Sequence, residues 1–157
     1  MPHLDAAHNL ARWLTRNDAD AADMVQEAAM RALSFFEGFR GGDARAWLLR
    51  IVRNTCYTWL RQNRAELMAP LDESAPDRAG ADPERSTIAR ADRQALQQAI
   101  EELPVEFRET LVLREIEGLA YKEIAHVAGV PIGTVMSRLA RARSLLRARL
   151  ASPEAAS

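Results

Sequence analysis

Residues 119–146 read LAYKEIAHVAGVPIGTVMSRLARARSLL, in which a Gly-Val-Pro break separates two segments with helical periodicity. The first segment, Tyr121 to Ala128, is followed by Gly129 at the break. Pro131 then fixes a backbone angle that suits the first turn of a second helix. Two helices joined by a Gly-containing turn of three or four residues are typical of the helix-turn-helix, whose second helix enters the major groove of DNA.

Each of these predicted helices has a defined apolar side. In the first helix, Ile124 and Ala125 face inward. In the second, a rotation of about 100° per residue places on the core side Val135, Leu139, Ala142 and Leu146. The opposite side holds Gly133, Thr134, Ser137, Ala140 and Arg141, with Met136 and Arg138 at its edges. Small residues allow a close approach to the groove, and hydroxyl and guanidinium groups reach phosphates and base edges.

The charge distribution supports this interpretation. Residues 131–150 hold five Arg and no acid, residues 40–64 hold six Arg and one acid, and residues 66–92 hold seven acids and three Arg. The formal net charge of −1 therefore averages two basic blocks and one acidic block. A basic face that is merely solvated on a packing helix is the alternative interpretation, but it leaves the turn spacing and the start at Pro131 unexplained.

A second basic helix is predicted in ARAWLLRIVRNTCYTWLRQNR, residues 44–64. Its apolar face contains Leu48, Val52, Cys56 and Trp59, and its other face contains Trp47, Arg50, Asn54, Tyr57, Thr58 and Arg61. Interleaved Arg, Asn and aromatic side chains suit unstacked bases, because rings stack on bases while Arg holds phosphate. The preceding loop FRGGD, residues 39–43, offers Phe39 as a wall for an everted base. For Trp47 and Tyr57 the alternative is a place in the core of a small domain.

Helical periodicity runs through nearly the whole chain, and no stretch alternates like a β-strand. Four or more helices are expected before residue 65. One of them, in residues 20–36, has the cap candidates Asp18 and Asp20 and an apolar face made of Val25, Ala29, Ala32, Leu33 and Phe36. Residues 66–92 contain three Pro and no aromatic residue, which indicates a flexible, self-repelling linker. The prediction is an all-α protein with two small helical domains, residues 1–65 and 93–152, joined by that acidic linker.

Composition argues against several other classes of protein. No apolar run reaches the roughly 18 residues of a membrane helix, and the N-terminus lacks signal-peptide features, so we expect a cytoplasmic protein without membrane insertion. The single Cys56 can form no internal disulfide and suits a buried place in a helix. His3, His8 and His126 have no metal-ligand spacing, and His126 fits a surface or phosphate-contacting position. We therefore expect no catalytic residue, no metal, no cofactor and no enzymatic activity.

The quoted segments resemble one bacterial family. DAADMVQEAAMRALSFFEGFRGGDARAWLLRIVRNTCYTWLRQNR resembles region 2 of the extracytoplasmic-function (ECF) sigma factors of the sigma-70 family, and LPVEFRETLVLREIEGLAYKEIAHVAGVPIGTVMSRLARAR resembles their region 4. Both motifs in this order around a short linker make the resemblance highly specific. It implies a protein that binds core RNA polymerase, directs it to promoter DNA through −10 and −35 elements, and is held by an anti-sigma factor.

The resemblance also implies roles for individual residues. The core polymerase surface would comprise Asp23, Gln26, Glu27 and Arg31. The −10 element would be bound by Phe39, Arg40, Asp43, Arg50, Asn54, Tyr57 and Arg61. The −35 element would be bound by Lys122, Thr134, Met136, Ser137, Arg138 and Arg141. Met136 departs from the family pattern, because many relatives have Arg or Lys there, and this departure bears on the preferred −35 sequence.

A helix-turn-helix regulator that binds duplex DNA without polymerase is the competing interpretation. It accounts for residues 119–146 but gives no role to the Arg-Asn-aromatic helix or to the acidic linker. Such a regulator would also normally need a sensing or dimerising domain. Binding to core RNA polymerase distinguishes the two interpretations.

Overall fold

In the computed structural model, residues 3–35, 43–63 and 87–151 are described, and all the regular structure in these ranges is helical. The helices are α1 (Leu4–Thr15), α2 (Asp18–Ser34), α3 (Ala44–Gln62), α4 (Thr87–Glu101), α5 (Val105–Leu111), α6 (Tyr121–Ala128) and α7 (Ile132–Ala151). A π-helical turn, Val112–Ile116, continues α5. The predicted all-α class is confirmed.

The helices α1, α2 and α3 pack on one another and form the N-terminal half. Asn17 caps α2, because its side-chain oxygen accepts a hydrogen bond from the backbone N–H of Asp20 at 3.0 Å. The predicted caps, Asp18 and Asp20, lie inside the first turn instead. The described residues before position 65 form three helices, and the prediction of four or more also covers residues 36–42, which lie outside the described ranges.

The buried face of α2 differs from the prediction. It consists of Ala21, Met24, Ala28 and Ala32, and Val25 is half-buried. Leu33, which was expected in the core, is 71% exposed, and the predicted Phe36 lies outside the described residues. The predicted apolar face and the observed buried face overlap on this helix. The observed face is rich in Ala, whose small side chains allow α2 to approach α1 and α3 more closely.

The linker prediction needs one correction. Most of residues 66–92 lie outside the described ranges, but α4 already begins at Thr87. From Thr87 to Glu101 the sequence has neither Gly nor Pro and is rich in Ala, Gln and Arg, which favour helix. Helix α4 therefore begins before the segment in which apolar residues recur with helical spacing, because the preceding residues also favour helix.

The helix-turn-helix forms as predicted. Helix α6 has the predicted bounds and ends at Gly129, whose φ of 69° is the left-handed conformation that glycine adopts without strain. In α7 the predicted core stripe is buried at Val135, Leu139 and Ala142 and half-buried at Leu146. The carbonyl of Pro131 accepts a hydrogen bond from Thr134 N at 3.0 Å, which opens the second helix.

The N-terminal half docks on the C-terminal half, which comprises α4 to α7. Helix α3 packs against α6 and α1 packs against α5, so one hydrophobic cluster spans both halves. Leu14, Leu49 and Val52 of the first half belong to the same cluster as Leu113 and Ile124 of the second. The prediction of two domains on a tether did not include this contact.

The turn makes a stability prediction with a matched control. We expect Gly129→Ala to lower the free energy of unfolding by about 1–2 kcal/mol, because an L-residue is strained at positive φ. An added Cβ at Gly129 would meet nothing nearer than Arg50 Nη2 at 4.0 Å, so the strain is in the backbone. Gly133→Ala is the control and should raise it by about 0.5–1 kcal/mol, since Gly133 lies in a regular helix with open space around it. Urea denaturation measures both changes, and equal signs would contradict this assignment.

Candidate nucleic-acid interface

The outer face of α7 is open to solvent. Gly133, Ser137, Ala140 and Arg141 are exposed there, and Lys122 is exposed on α6. Thr134 is half-buried, and its carbonyl accepts a hydrogen bond from Ser137 Oγ at 3.1 Å. This face therefore offers small residues with a cation at its C-terminal side, as the major groove requires.

Two residues at the edges of this face differ in exposure. Met136 is 52% exposed, whereas Arg138 is half-buried and its Nη1 atom is buried without a hydrogen-bond partner. The charge of Arg138 acts on Glu109, whose pKa it lowers against the larger effect of burial. The sequence analysis predicted that Arg138 and Arg141 both contact the −35 element, but in the structure the Arg138 side chain is directed toward the protein interior.

The predicted base-binding face of α3 is only partly exposed. Arg50, Asn54 and Arg61 are exposed, and Asp43 is exposed as the N-cap of the helix. Trp47 and Tyr57 are half-buried against the hydrophobic cluster, which is the alternative considered for them from the sequence. Phe39 and Arg40 lie outside the described residues.

Tyr57 and its neighbour Arg53 are bound to the C-terminal half. The Tyr57 hydroxyl donates a hydrogen bond to one carboxylate oxygen of Glu109, and Arg53 Nε donates to the other at 2.8 Å. The Arg53 guanidinium also stacks on the Tyr57 ring, 3.7 Å from its centre. The role predicted for Tyr57 at the −10 element is therefore not available while the halves are docked, because its hydroxyl and one ring face are occupied.

Glu109 is the most buried charged residue at this contact. Its side chain is fully buried, and burial raises its pKa against the opposing effects of Arg53 and the Tyr57 hydrogen bond. Burial also raises the pKa of the Tyr57 hydroxyl, and the nearby Glu109 charge adds to that shift. Tyr57 therefore stays protonated and acts as the donor. We name Arg53, Tyr57 and Glu109 the interdomain triad.

Other Arg side chains of the N-terminal half also bind the C-terminal half. Arg50 Nη1 donates to the carbonyl of His126 at 3.0 Å, and Arg45 Nη1 donates to that of Glu117 at 3.5 Å. Arg16 Nη1 donates to the carbonyl of Glu101 at 3.2 Å. The Arg block at residues 40–64 thus serves contacts within the protein as well as any contact with nucleic acid.

A buried cation strengthens the same interface from the other side. Arg108 of α5 donates to the carbonyls of Glu101 at 2.8 Å, Leu103 at 3.0 Å and Leu14 at 3.4 Å. Burial lowers its pKa to about 10, so it remains charged at neutral pH. Sequence reasoning missed both Arg108 and Glu109. Their signal was a pair of charged residues, Arg-Glu, separated only by Thr110 from the apolar run LVL.

The predicted polymerase surface lies on the exposed side of α2. Asp23, Gln26 and Glu27 are exposed and Arg31 is half-buried, with Arg31 Nη2 placed 2.9 Å from Glu27 Oε1. Met30, 64% exposed, lies among them. The docked C-terminal half packs on α1 and α3, so this surface stays accessible.

Other kinds of site find no support in the part of the chain that the structure describes. Within those residues no group of three His, Cys, Asp or Glu side chains is arranged to hold a metal ion, and none of the helices is long and apolar enough to cross a membrane. Cys56 is buried, and burial raises the pKa of its thiol to about 12. The thiol therefore stays protonated at neutral pH and is not a nucleophile.

Sequence comparison matches both halves to one family. A family model described as Sigma-70 region 2 matches residues 1–66, and one described as Sigma-70, region 4 matches residues 93–146. The chain belongs to the sigma-70 family. Within that family, the ECF RNA polymerase sigma factor SigE of Mycolicibacterium smegmatis is 37% identical over 151 residues, which cover 95% of this chain and 59% of that protein. This sigma-70 chain thus spans less than two thirds of the length of that relative.

Further ECF relatives cover more of their own length. The ECF RNA polymerase sigma-E factor of Escherichia coli K12 is 35% identical, covering 88% of this chain and 79% of that factor. In structure, the sigma factor RpoE bound to the anti-sigma factor NepR from Bartonella quintana matches with a TM-score of 0.72 at 29% identity, over 96% and 92% of the two chains. CnrH in complex with the cytosolic domain of CnrY matches with a TM-score of 0.70 at 25% identity, over 97% and 84%.

The interdomain triad makes a second stability prediction. We expect Glu109→Ala to lower the free energy of unfolding by about 2–4 kcal/mol, because it leaves Arg53 and Tyr57 without their buried acceptor. Glu115→Ala is the matched control, since Glu115 pairs with Arg143 at an exposed position where such pairs contribute about 0–1 kcal/mol. Urea denaturation of both variants tests this. Similar losses in the two variants would show that the triad is not a major interdomain contact.

Proposed function

We propose that this chain is an ECF sigma factor that binds core RNA polymerase and directs it to promoters by recognising −10 and −35 elements. The observation that carries the proposal is the presence of both region 2 and region 4 on one chain, matched over residues 1–66 and 93–146. Sigma factors of this family are transcription initiation factors, not enzymes. A regulator that binds DNA without polymerase would not need region 2.

The two proposed DNA contacts involve DNA in different states, a duplex at the −35 element and separated strands at the −10 element. Helix α7 has the exposed, small and basic face that suits duplex DNA, so we assign the −35 element to it. On α3, Asn54 and Arg61 are exposed and suit an unstacked base and a phosphate of the melted −10 element. Asn54 already accepts a hydrogen bond from Arg53 Nη1 at 3.2 Å, which orients its amide group.

Promoter binding requires the docked halves to separate in this proposal. The Tyr57 hydroxyl is bound to Glu109, and DNA must replace this partner before Tyr57 can act at the −10 element, while the exposed Arg50 donates one hydrogen bond to the carbonyl of His126. The polymerase surface on α2 needs no such change, because Asp23 and Glu27 are exposed in the docked form. The order of events is therefore polymerase binding, separation of the halves and then promoter recognition.

An anti-sigma factor is the proposed inhibitor. One solved structure that is similar to this chain over nearly its whole length is that of the sigma factor RpoE in complex with the anti-sigma factor NepR. An anti-sigma factor that binds the docked form more tightly would shift the equilibrium toward that form and so keep Tyr57 from DNA. Core polymerase and promoter DNA are the other proposed partners, and the proposed location is the cytoplasm, where transcription takes place.

The polymerase contact is tested by reversing a charge. We expect Glu27→Lys to abolish core binding in a pull-down, because a like-charge contact at an interface is unfavourable by several kcal/mol. Asp92→Lys is the matched control, since Asp92 is exposed on α4 and makes the same charge change away from α2. Unchanged core affinity in Glu27→Lys would remove α2 from the interface. Equal loss in both variants would indicate an effect of net charge alone.

The two DNA contacts are separated by a pair of variants that control for each other. We expect Arg141→Ala to weaken the initial closed complex and, if its contact is to phosphate, to lower the salt slope by about one unit. We expect Asn54→Ala to leave that complex nearly intact and to reduce melting, with a loss of about 1–3 kcal/mol of discrimination at one −10 position. Filter binding reports the first step and permanganate reactivity of unpaired thymines the second. Normal melting with Asn54→Ala would contradict the assignment of α3.

A further inference from the structure

Two apolar side chains are exposed on the first turns of α7. Ile132 is 45% exposed and Met136 is 52% exposed. They are four residues apart and therefore adjacent on the same side of the helix. We call them the apolar pair. Exposed apolar side chains at the start of a recognition helix need an explanation, because this is the part that contacts base edges in a helix-turn-helix.

The neighbours of the apolar pair allow it to approach DNA closely. Gly133 is exposed, and an added Cβ there would meet nothing within 4 Å. Ser137 is small and exposed, and its hydroxyl is already bonded to the carbonyl of Thr134 at 3.1 Å. Among these residues Met136 has the longest side chain, and it is 52% exposed.

The nearest cation on the same side is already occupied. Arg143 lies two turns after Met136 on the same side of α7, and it donates hydrogen bonds to Glu115. Arg138 is on the other edge of the helix and half-buried. The exposed residues one turn before and after Met136 on α7, namely Ile132, Gly133 and Ala140, carry no charge. In the major groove, the apolar feature of the base pairs is the C5-methyl group of thymine.

We propose that Met136, supported by Ile132, recognises the C5-methyl group of a thymine in the −35 element and so helps to set the promoter sequence that this factor prefers. The inference rests on the proposed function, because it requires that α7 binds a −35 duplex. A thioether on a flexible chain adapts to a methyl group at little cost in strain. A basic residue at this position would instead favour guanine or phosphate.

The test removes only the methyl group from the DNA. A promoter is first selected from random duplexes by core polymerase carrying the full chain. Each −35 thymine is then replaced in turn by deoxyuridine, which lacks the methyl group but keeps the same hydrogen-bonding groups. Filter binding at one fixed salt concentration should show a loss of about fourfold at one position, which is the value expected for one methyl group removed from water.

Protein variants assign that loss to Met136. With Met136→Ala, the same deoxyuridine substitution should have no effect on affinity, because the methyl group has lost its contact. Leu150→Ala is the matched control, since Leu150 is an exposed apolar residue at the far end of α7, and it should keep the fourfold dependence. Met136→Arg should also abolish the methyl dependence and raise the salt slope by about one unit if the new side chain contacts phosphate.

Two results would overturn the inference while leaving the proposed function intact. One is a parent holoenzyme that binds its selected promoter equally well with deoxyuridine at every −35 thymine. The other is a Met136→Ala holoenzyme that keeps the methyl dependence of the parent. A parent chain that forms no promoter complex with core polymerase overturns both the proposed function and this inference. The three results are distinguished by the same binding assay.

Discussion

The carboxylate of Glu109 is buried inside the protein, where an unpartnered charge would be strongly unfavourable. It is accommodated because Arg53 and Tyr57, both on α3, donate to its two oxygens. Docking of the two halves and burial of this charge therefore depend on each other. The Arg53 guanidinium also stacks on the Tyr57 ring, which holds the two donors side by side on α3.

The same helix carries the residues proposed to bind melted DNA. Arg50 and Tyr57 each donate one hydrogen bond to the C-terminal half. These contacts compete with the contacts to nucleic acid that are proposed for the same two side chains. Arg50, Asn54 and Arg61 are exposed on α3, although Arg50 donates one hydrogen bond to the C-terminal half, whereas the Tyr57 hydroxyl is bound to Glu109 in the docked form.

The helix-turn-helix is independent of that competition. Its turn is set by Gly129 and Pro131, and its proposed DNA-facing side stays exposed when α6 packs against α3. The docked form thus hides part of one proposed nucleic-acid surface and leaves the other open. A chain of this design keeps α7 and the proposed polymerase surface of α2 accessible while Tyr57 of the proposed −10 surface is bound within the protein.

The sequence by itself determined the features that depend on neighbouring residues. The bounds of α6, the turn at Gly129 and the core stripe of α7 were predicted because backbone conformation and helical period are local properties. The all-α class and the family followed from the same patterns. The tertiary structure decided the buried face of α2, the inward position of Arg138 and the pairing of Arg53 with Glu109. Helical periodicity could not predict these, because two adjacent faces of one helix can be equally apolar and because partners 56 residues apart meet only through packing.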